Sequence, residues 1–137
     1  MVRLKEILLV ILSVISIHAE ARVVRDVEIK KTGITYEKKH TEECEAFRPI
    51  KEQVIHFFNS AKELKEAGSL LHEYYSPCIA TGSVTFKNGL SGTWVLQSSG
   101  FASFFVGGKE KAIFFYRGNK WEDPFGCVYG SDDDLSC

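Results

Sequence analysis

The stretch IATGSVTFKNGLSGTWVLQSSGFASFFVGGKEKAIFFY, residues 79–116, decides the fold of this chain. Apolar residues alternate with mostly polar neighbours within it, as at Trp94 and Leu96. A period of two is the pattern of a strand with one buried face. The turn sequences KNG, SSG and GG separate the apolar runs, and Asn88-Gly89 predicts a type I′ turn in which both residues have a positive φ. The stretch therefore predicts an antiparallel β-meander.

The flanks of the meander add weaker strand predictions. LLHEYY, residues 70–75, is interpreted as one more strand. Val24, Val27 and Ile29 are compatible with a weak edge strand inside a charged N-terminal arm that spans residues 22–40. Together these segments predict a curved antiparallel sheet of about four to five strands.

A helical segment precedes the meander. The apolar residues that recur at helical spacing are Ile50, Val54, Phe57 and Phe58. Pro49 suits a first helical turn, because its missing N–H has no partner to lose there. The pattern predicts a helix from Pro49 to Asn59, which would cover the apolar face of the sheet.

A shorter second helix is predicted directly after the first. Ser60 followed by Glu63 has the spacing of a capping box, and Gly68 is a typical helix stop, so this helix would end near Ala67. The predicted fold class is therefore α+β, an antiparallel meander covered by an N-terminal helical segment and stapled by disulfides.

The first 21 residues have the pattern of a secretory signal peptide. Arg3 and Lys5 precede an apolar run over residues 7–17, and small residues alternate at Ala19 and Ala21. The run falls short of the roughly 20 apolar residues that span a bilayer, so no membrane anchor is expected. We predict cleavage after Ala21, or else after Ala19. Residues 22–137 would then form a single domain in the periplasm or outside the cell.

The charge balance argues against binding to nucleic acid. The chain has 17 Lys and Arg residues against 18 Asp and Glu residues, a net charge of −1. Nucleic-acid-binding domains have a basic face instead. We therefore expect no nucleic-acid partner.

All four cysteines, Cys44, Cys78, Cys127 and Cys137, lie in the part predicted to be exported. An even count in a small exported chain predicts disulfides. Four cysteines allow three pairings, and the sequence does not choose among them; we favour Cys44–Cys78 with Cys127–Cys137, since the second pair closes a short polar loop. A zinc site is the alternative, but the chain has no C-x-x-C pair and no clustered histidines. We expect neither a metal nor another cofactor.

The segment HEYYSPCIATG, residues 72–82, holds the only plausible catalytic pair. Cys78 as a thiolate and His72 as its base would make a nucleophilic enzyme. Pro77 interrupts a regular strand there, and an exported cysteine is usually oxidised. The simpler interpretation is a bend that Cys78 ties to the segment ahead of the helix.

Two polar segments near the C-terminus are candidate binding surfaces. Trp121 lies among Lys120, Glu122 and Asp123, and a tryptophan on a polar loop is typical of binding hot spots. The acidic run that follows consists of Asp132, Asp133 and Asp134. It lacks the spaced ligands of a calcium loop, so a solvated loop is the simpler interpretation. Aromatic residues of the last two strands are candidates for the lining of an apolar ligand cavity.

Several motifs support a resemblance. CEAF ahead of the helix, YYSPC after it, TGSVTFKNGLSGTWVLQSSG and WEDPF resemble a pattern of small exported bacterial envelope proteins of unassigned role. In general type the chain is also similar to periplasmic inhibitors and immunity proteins. That likeness transfers no functional residue to this chain.

These observations predict a non-enzymatic binding protein of the bacterial envelope, most concretely an inhibitor or immunity protein against a secreted wall-degrading or toxic enzyme. The alternatives are a carrier of a small apolar ligand on the aromatic sheet face and a Cys/His enzyme. The expected partner is a protein, and a homodimer is a further possibility, because aromatic residues occur on both faces of adjacent strands.

Overall fold

The computed structural model describes residues 22–66 and 68–129. The predicted signal peptide, the acidic run of Asp132, Asp133 and Asp134, and Cys137 lie outside the described residues. The predicted pair Cys127–Cys137 therefore stays a prediction.

Six strands form one antiparallel sheet, so the predicted α+β class is confirmed. The strands are β1 (Val24–Ile34), β2 (Lys62–Leu64), β3 (Ile79–Phe86), β4 (Ser91–Gln97), β5 (Phe101–Val106) and β6 (Lys109–Phe115). Their order across the sheet is β1-β3-β4-β5-β6-β2. The predicted meander is the run from β3 to β6, in which each strand pairs with the next along the chain.

Strand β1 is longer than the weak strand predicted from its sequence. It has 11 residues and pairs with β3 from Val24 opposite Phe86 to Ile34 opposite Ile79. Irregularities in the register interrupt the pairing at three places. The first part of the predicted charged arm is therefore an edge strand of the sheet, in which Val24 and Val27 are buried and the charged residues are exposed.

Three short helices accompany the sheet, α1 (Thr41–Cys44), α2 (Lys51–Ser60) and α3 (Leu70–Glu73), and a 3-10 turn spans Lys38–His40. Helix α2 is the predicted lid. It begins two residues after Pro49, and the Gln53 Oε1 atom accepts a hydrogen bond from the Ile50 N–H at 2.9 Å. The Gln53 side chain thus caps the first turn. Pro49, which was predicted to lie in that turn, precedes the helix instead.

The predicted second helix after Ser60 is wrong. Ser60 is the last residue of α2, and Ala61 is extended with φ −64° and ψ 141°. The chain then enters β2, where Lys62 lies opposite Phe115 and Leu64 opposite Ile113. Pairing with the open edge of β6 overrides the local capping pattern, because it satisfies backbone groups along that edge.

Two further local predictions are wrong. The segment predicted as strand LLHEYY contains α3, in which the Tyr74 N–H donates to the Leu70 carbonyl at 2.9 Å. The turn at Asn88-Gly89 is not type I′, because only Gly89 has a positive φ, of 89°. The Gly89 N–H donates to the Phe86 carbonyl at 2.9 Å, so the loop has three residues and ends on a left-handed glycine.

The core lies between α2 and one face of the sheet. Phe58 of α2 packs with its ring centroid 6.0 Å from that of Trp94 and 5.8 Å from that of Phe114. On the opposite face, Phe101 and Phe115 stack on each other with centroids 4.4 Å apart. Tyr74 covers this second pair at 5.4 Å from Phe115. The predicted lid is confirmed, and the second face is covered at the α3 end.

A disulfide joins Cys44 at the end of α1 to Cys78 just before β3. Both residues are completely buried. This confirms the favoured first pairing. A buried disulfide is typical of proteins that fold in an oxidising compartment.

Within residues 22–66 and 68–129, no helix is long and apolar enough to cross a membrane.

Candidate functional site

Trp121 is buried, so its expected exposure on a polar loop is wrong. Only 8% of the residue is exposed. Its Nε1–H donates to the Ser98 carbonyl at 2.8 Å, and its ring packs on Phe47 and Phe57 at centroid distances of 5.6 and 5.9 Å. The polar neighbours Lys120 and Glu122 are exposed on either side. A large aromatic surface gains more by folding onto the helix than by staying in water.

Asp123 also has a structural role. Its Oδ1 atom accepts hydrogen bonds from the Ser98 Oγ at 2.7 Å, from the Tyr129 hydroxyl at 3.0 Å and from the Phe125 N–H at 3.1 Å. Ser98 Oγ lies 2.6 Å from Ser76 Oγ, so the chain of bonds continues to the segment before β3. Three donors on one carboxylate oxygen fix the C-terminal loop in place.

Tyr129 belongs to the same network. Burial raises the pKa of Tyr129 to about 12, and the neighbouring Asp123 carboxylate adds to this shift while the hydroxyls of Ser76 and Ser98 oppose it. The guanidinium of Arg117 lies 5.3 Å from the centre of the Tyr129 ring. The phenol is thus kept neutral as part of the loop's packing.

The sulfur of Cys78 is bonded to Cys44 and is not a free thiol. His72 lies on α3 with its side chain exposed. The pair that the enzyme alternative requires therefore has no thiolate. Among the described residues, no group of three or more His, Cys, Asp or Glu side chains is placed to hold a metal ion.

Most of the exposed apolar side chains lie toward two ends of the molecule; the others are Ile50, ahead of α2, and Leu71, on α3. One end, here called the hairpin end, carries Val23, Leu90 and Val106, with exposed fractions of 36 to 37%. The other, here called the disulfide end, carries Tyr36, Tyr75 and Val128. Exposed apolar residues that cluster are more informative about binding than the same residues scattered singly.

The hairpin end is built by backbone pairing. Val23 is held where the Lys87 N–H donates to its carbonyl at 2.8 Å. Leu90 closes the β3–β4 loop by accepting a bond from the Phe86 N–H at 2.8 Å. Val106 precedes the β5–β6 turn, whose two glycines both have a positive φ. Register therefore brings three residues that are far apart in sequence to one end of the sheet.

The charge of the hairpin end is mainly basic. Its cationic residues are Arg22, Arg25, Lys65, Lys87, Lys109 and Lys111, and its anionic residues are Glu63, Glu66 and Glu110. Asp26 is also near, but its carboxylate pairs with the Lys51 ammonium of α2 at 3.0 Å. This ion pair lowers the pKa of Asp26 through its hydrogen bond and its charge.

An open pit of about 190 Å³ lies at the hairpin end on the core face of the sheet. The apolar part of its lining is formed by Phe86, Leu90, Phe104, Ala112 and Phe114. Arg22, Glu63, Asn88 and Lys111 supply its polar part. The pit is thus an apolar depression with a charged rim.

Arg22 forms one wall of the pit. Its guanidinium lies 4.2 Å from the centre of the Phe114 ring, and its Nε–H donates to the Phe58 carbonyl at 3.0 Å. A second nitrogen donates to the Ala61 carbonyl. Burial lowers the pKa of Arg22, and the nearby Glu63 carboxylate acts against that shift. A cation at the end of α2 also complements the helix dipole.

The disulfide end joins three loops. The Tyr75 hydroxyl donates to Glu37 Oε1 at 3.1 Å, and the imidazole of His40 lies 3.5 Å from the same carboxylate group. The rings of His40 and Phe125 meet edge to face at 5.0 Å. The residue most open to solvent among its apolar side chains is Tyr36, which is 82% exposed.

No protein family model, no curated protein and no solved structure matches this chain.

Sequence reasoning did not identify the hairpin end. The turn residues around Gly89 and Gly107 located both hairpins, but nothing in the sequence shows that Val23 lies beside them. The pairing of β1 with β3 across a long insertion brings them together. The exposed position of Leu90 directly after the predicted turn was the one available clue.

Proposed function

We propose that this chain is a non-enzymatic binding protein of the periplasm or the extracellular space, acting as an inhibitor or immunity protein against a secreted wall-degrading or toxic enzyme. The observation that carries the proposal is the hairpin end, where Val23, Leu90 and Val106 are exposed beside short turns and backbone hydrogen bonds. In this proposal the hairpin end enters a cleft of the partner. The hairpin end takes the place of Trp121 as the candidate binding surface, because Trp121 is buried.

The rigidity of the hairpin end favours tight binding. Its loops are short and are closed by backbone hydrogen bonds. Little conformational entropy is lost when preorganised loops bind, so more of the contact energy appears as affinity. Exposed apolar tips ringed by charged residues also match the usual anatomy of an interface, with an apolar centre and a polar rim.

The compartment is consistent with this role. The buried Cys44–Cys78 disulfide fits an oxidising environment, and the predicted signal peptide would direct the chain there. A protein that meets a secreted enzyme has to share its compartment. Export remains a prediction that the mass of the mature protein tests.

The alternative of an apolar carrier on the aromatic sheet face has no observation in its favour. Phe101 and Phe115 stack on each other there, and Tyr74 packs against them. These side chains pack against one another, as core residues do.

Affinity capture from an envelope extract tests the proposal. The parent protein is compared with the double variant Leu90→Asp, Val106→Asp and with the control Tyr36→Ser, which changes the opposite end. We expect the same partner to be retained by the parent and by Tyr36→Ser and to be lost with the double variant. Because all three positions are exposed, circular dichroism should show three folded proteins.

Loss of the partner with Tyr36→Ser, and not with the double variant, would transfer the binding site to the disulfide end. Retention of the partner by all three proteins would contradict both surfaces. A captured protein should also be inhibited in its own enzymatic assay, because an inhibitor or immunity protein blocks its partner.

A further inference from the structure

We propose that the pit at the hairpin end receives an apolar side chain of the protein partner that is flanked by a carboxylate. The inference rests on the proposed function and names the chemistry of the partner surface. It depends on the apolar floor of the pit and on the charge of its rim.

The floor of the pit is aromatic. Phe86, Phe104 and Phe114 lie beneath it, and Leu90 and Ala112 form apolar walls. The pit measures about 190 Å³. An apolar cavity of about 150 Å³ in another protein accepts benzene, so a phenyl or isobutyl group has the appropriate size.

The pit exists because the helical lid stops early. Helix α2 ends at Ser60, and the chain leaves in an extended conformation to form β2. The core face of the sheet is thus left without a helix above Phe104 and Ala112. Arg22 covers part of this area, fixed by its bonds to the carbonyls of Phe58 and Ala61.

The rim favours an anion. Arg22 and Glu63 offset each other, since the carboxylate lies close enough to act on the guanidinium. Lys111 is exposed, and no carboxylate of the described residues lies within ion-pair distance of its ammonium. Lys87 and Lys109 add positive charge on the adjoining hairpins, and Glu110 offsets one of these charges. A carboxylate beside the bound apolar group would therefore meet a field of opposite sign.

A matched series of small probes tests this chemistry on the full-length mature protein. The probes are 3-phenylpropionate, 3-phenylpropanol and 3-phenylpropylamine, which share one ring and one chain and carry negative, zero and positive charge. Binding is followed by the NMR shifts of the backbone amides of Leu90, Ala112 and Phe114. We expect all three probes to shift these amides, with the acid binding several-fold more tightly than the alcohol and the amine most weakly.

Two variants assign the effect to the pit. Lys111→Glu should reverse the order of the acid and the amine, whereas the control Lys120→Glu, at an exposed position outside the pit, should leave it unchanged. Ala112→Leu should weaken all three probes by filling the pit. The expected stability of Lys111→Glu is that of the parent, because Lys111 is exposed.

Three results would each overturn the inference. They are equal affinities for the three probes, no shift of these amides with any probe, and an order of affinities that Lys111→Glu does not change. The proposed function would survive any of these results if Leu90→Asp, Val106→Asp still abolishes capture of the partner. If the capture experiment fails but the probes bind in the expected order of charge, the pit would be a site for a small ligand, and the proposal of a protein partner would be contradicted.

Discussion

Gly89 occupies the last position of the β3–β4 loop with a φ of 89°, and the space around it is open. A side chain there would meet no other atom within 4 Å, so a substitution tests backbone strain alone. A β-branched residue resists this conformation. Gly89→Val should therefore lower the free energy of unfolding by about 1–2 kcal/mol, measured by thermal or chemical unfolding.

Lys87→Val is the matched control, because it adds the same side chain to the same loop where φ is not positive. It should unfold at nearly the temperature of the parent. Equal melting temperatures for the Gly89 variant and the parent would contradict the conformation assigned to the loop.

Trp121 is the residue whose role changes most between sequence and structure. Its neighbours in sequence are charged, yet its ring completes the packing of Phe47 and Phe57. Trp121→Ala should destabilise the domain by about 3–5 kcal/mol, because it opens a cavity and leaves the Ser98 carbonyl without its donor. Trp121→Phe should cost less, since it keeps most of the apolar contact.

His72→Ala is the comparison for Trp121→Ala. The side chain is exposed, so the change in the free energy of unfolding should stay within about 0.5 kcal/mol. A stable Trp121→Ala protein that has lost its partner would restore Trp121 as a contact residue.

Tyr129 predicts a pH dependence. Its pKa is about 12 in the folded protein, against about 10 for a phenol in an unfolded chain. A raised pKa means that the neutral phenol is favoured by folding. This contribution to stability is fully present below pH 10 and is lost as the pH rises toward 12. Absorbance titration should show a step near pH 12 that is missing from Tyr129→Phe; a parent protein without that step would contradict the burial of the phenol.

At the scale of elements, the disulfide joins α1 to the start of β3. It closes a loop with a sequence separation of 34 and fixes the segment that carries α2. Because the cross-link lowers the conformational entropy of the unfolded chain, it should raise the free energy of unfolding by about 3–4 kcal/mol. The double variant Cys44→Ala, Cys78→Ala should lose at least this amount, measured by urea unfolding. A loss below about 1 kcal/mol would show that packing alone holds the two segments together.

Elements with strong periodicity were predictable, and short elements were not. Strands β3 to β6 and helix α2 each present several apolar residues at one period, so their type follows from the sequence. Strand β2 has three residues and forms because β6 offers an open edge, which no local pattern can show. Helix α3 is a single turn, so its sequence has too few residues to establish a period.

At the scale of the whole molecule, the candidate site depends on register. Val23, Leu90 and Val106 are far apart in sequence, and pairing across the sheet places them at the same end of it. Hydrophobic pattern predicts which face of a strand is buried, but it does not show where the strand ends meet. The site was therefore beyond prediction even though the meander was not.

The charged residues of the sheet lie on its outer strands, β1, β6 and β2. The three strands β3, β4 and β5 contain no charged residue. On the sheet face opposite α2, here called the open face, one cross-strand row runs from Glu28 through Ser83, Thr93 and Phe105 to Glu110. The row is therefore uncharged at its centre and acidic at both ends.

This row bears on the predicted possibility of a homodimer. When two open faces pack about a two-fold axis that runs along β4, β1 of one copy lies over β6 of the other, so Glu28 meets Glu110 of the partner twice. Like charges that face each other are destabilising. We therefore expect the parent to sediment as a monomer at micromolar concentration and neutral pH. Glu28→Lys should associate more strongly than the parent, and added salt should reduce the difference because it screens surface charges. A parent protein that sediments as a dimer, and becomes a monomer with Thr93→Arg, would show instead that the open face pairs with itself in spite of the two carboxylates.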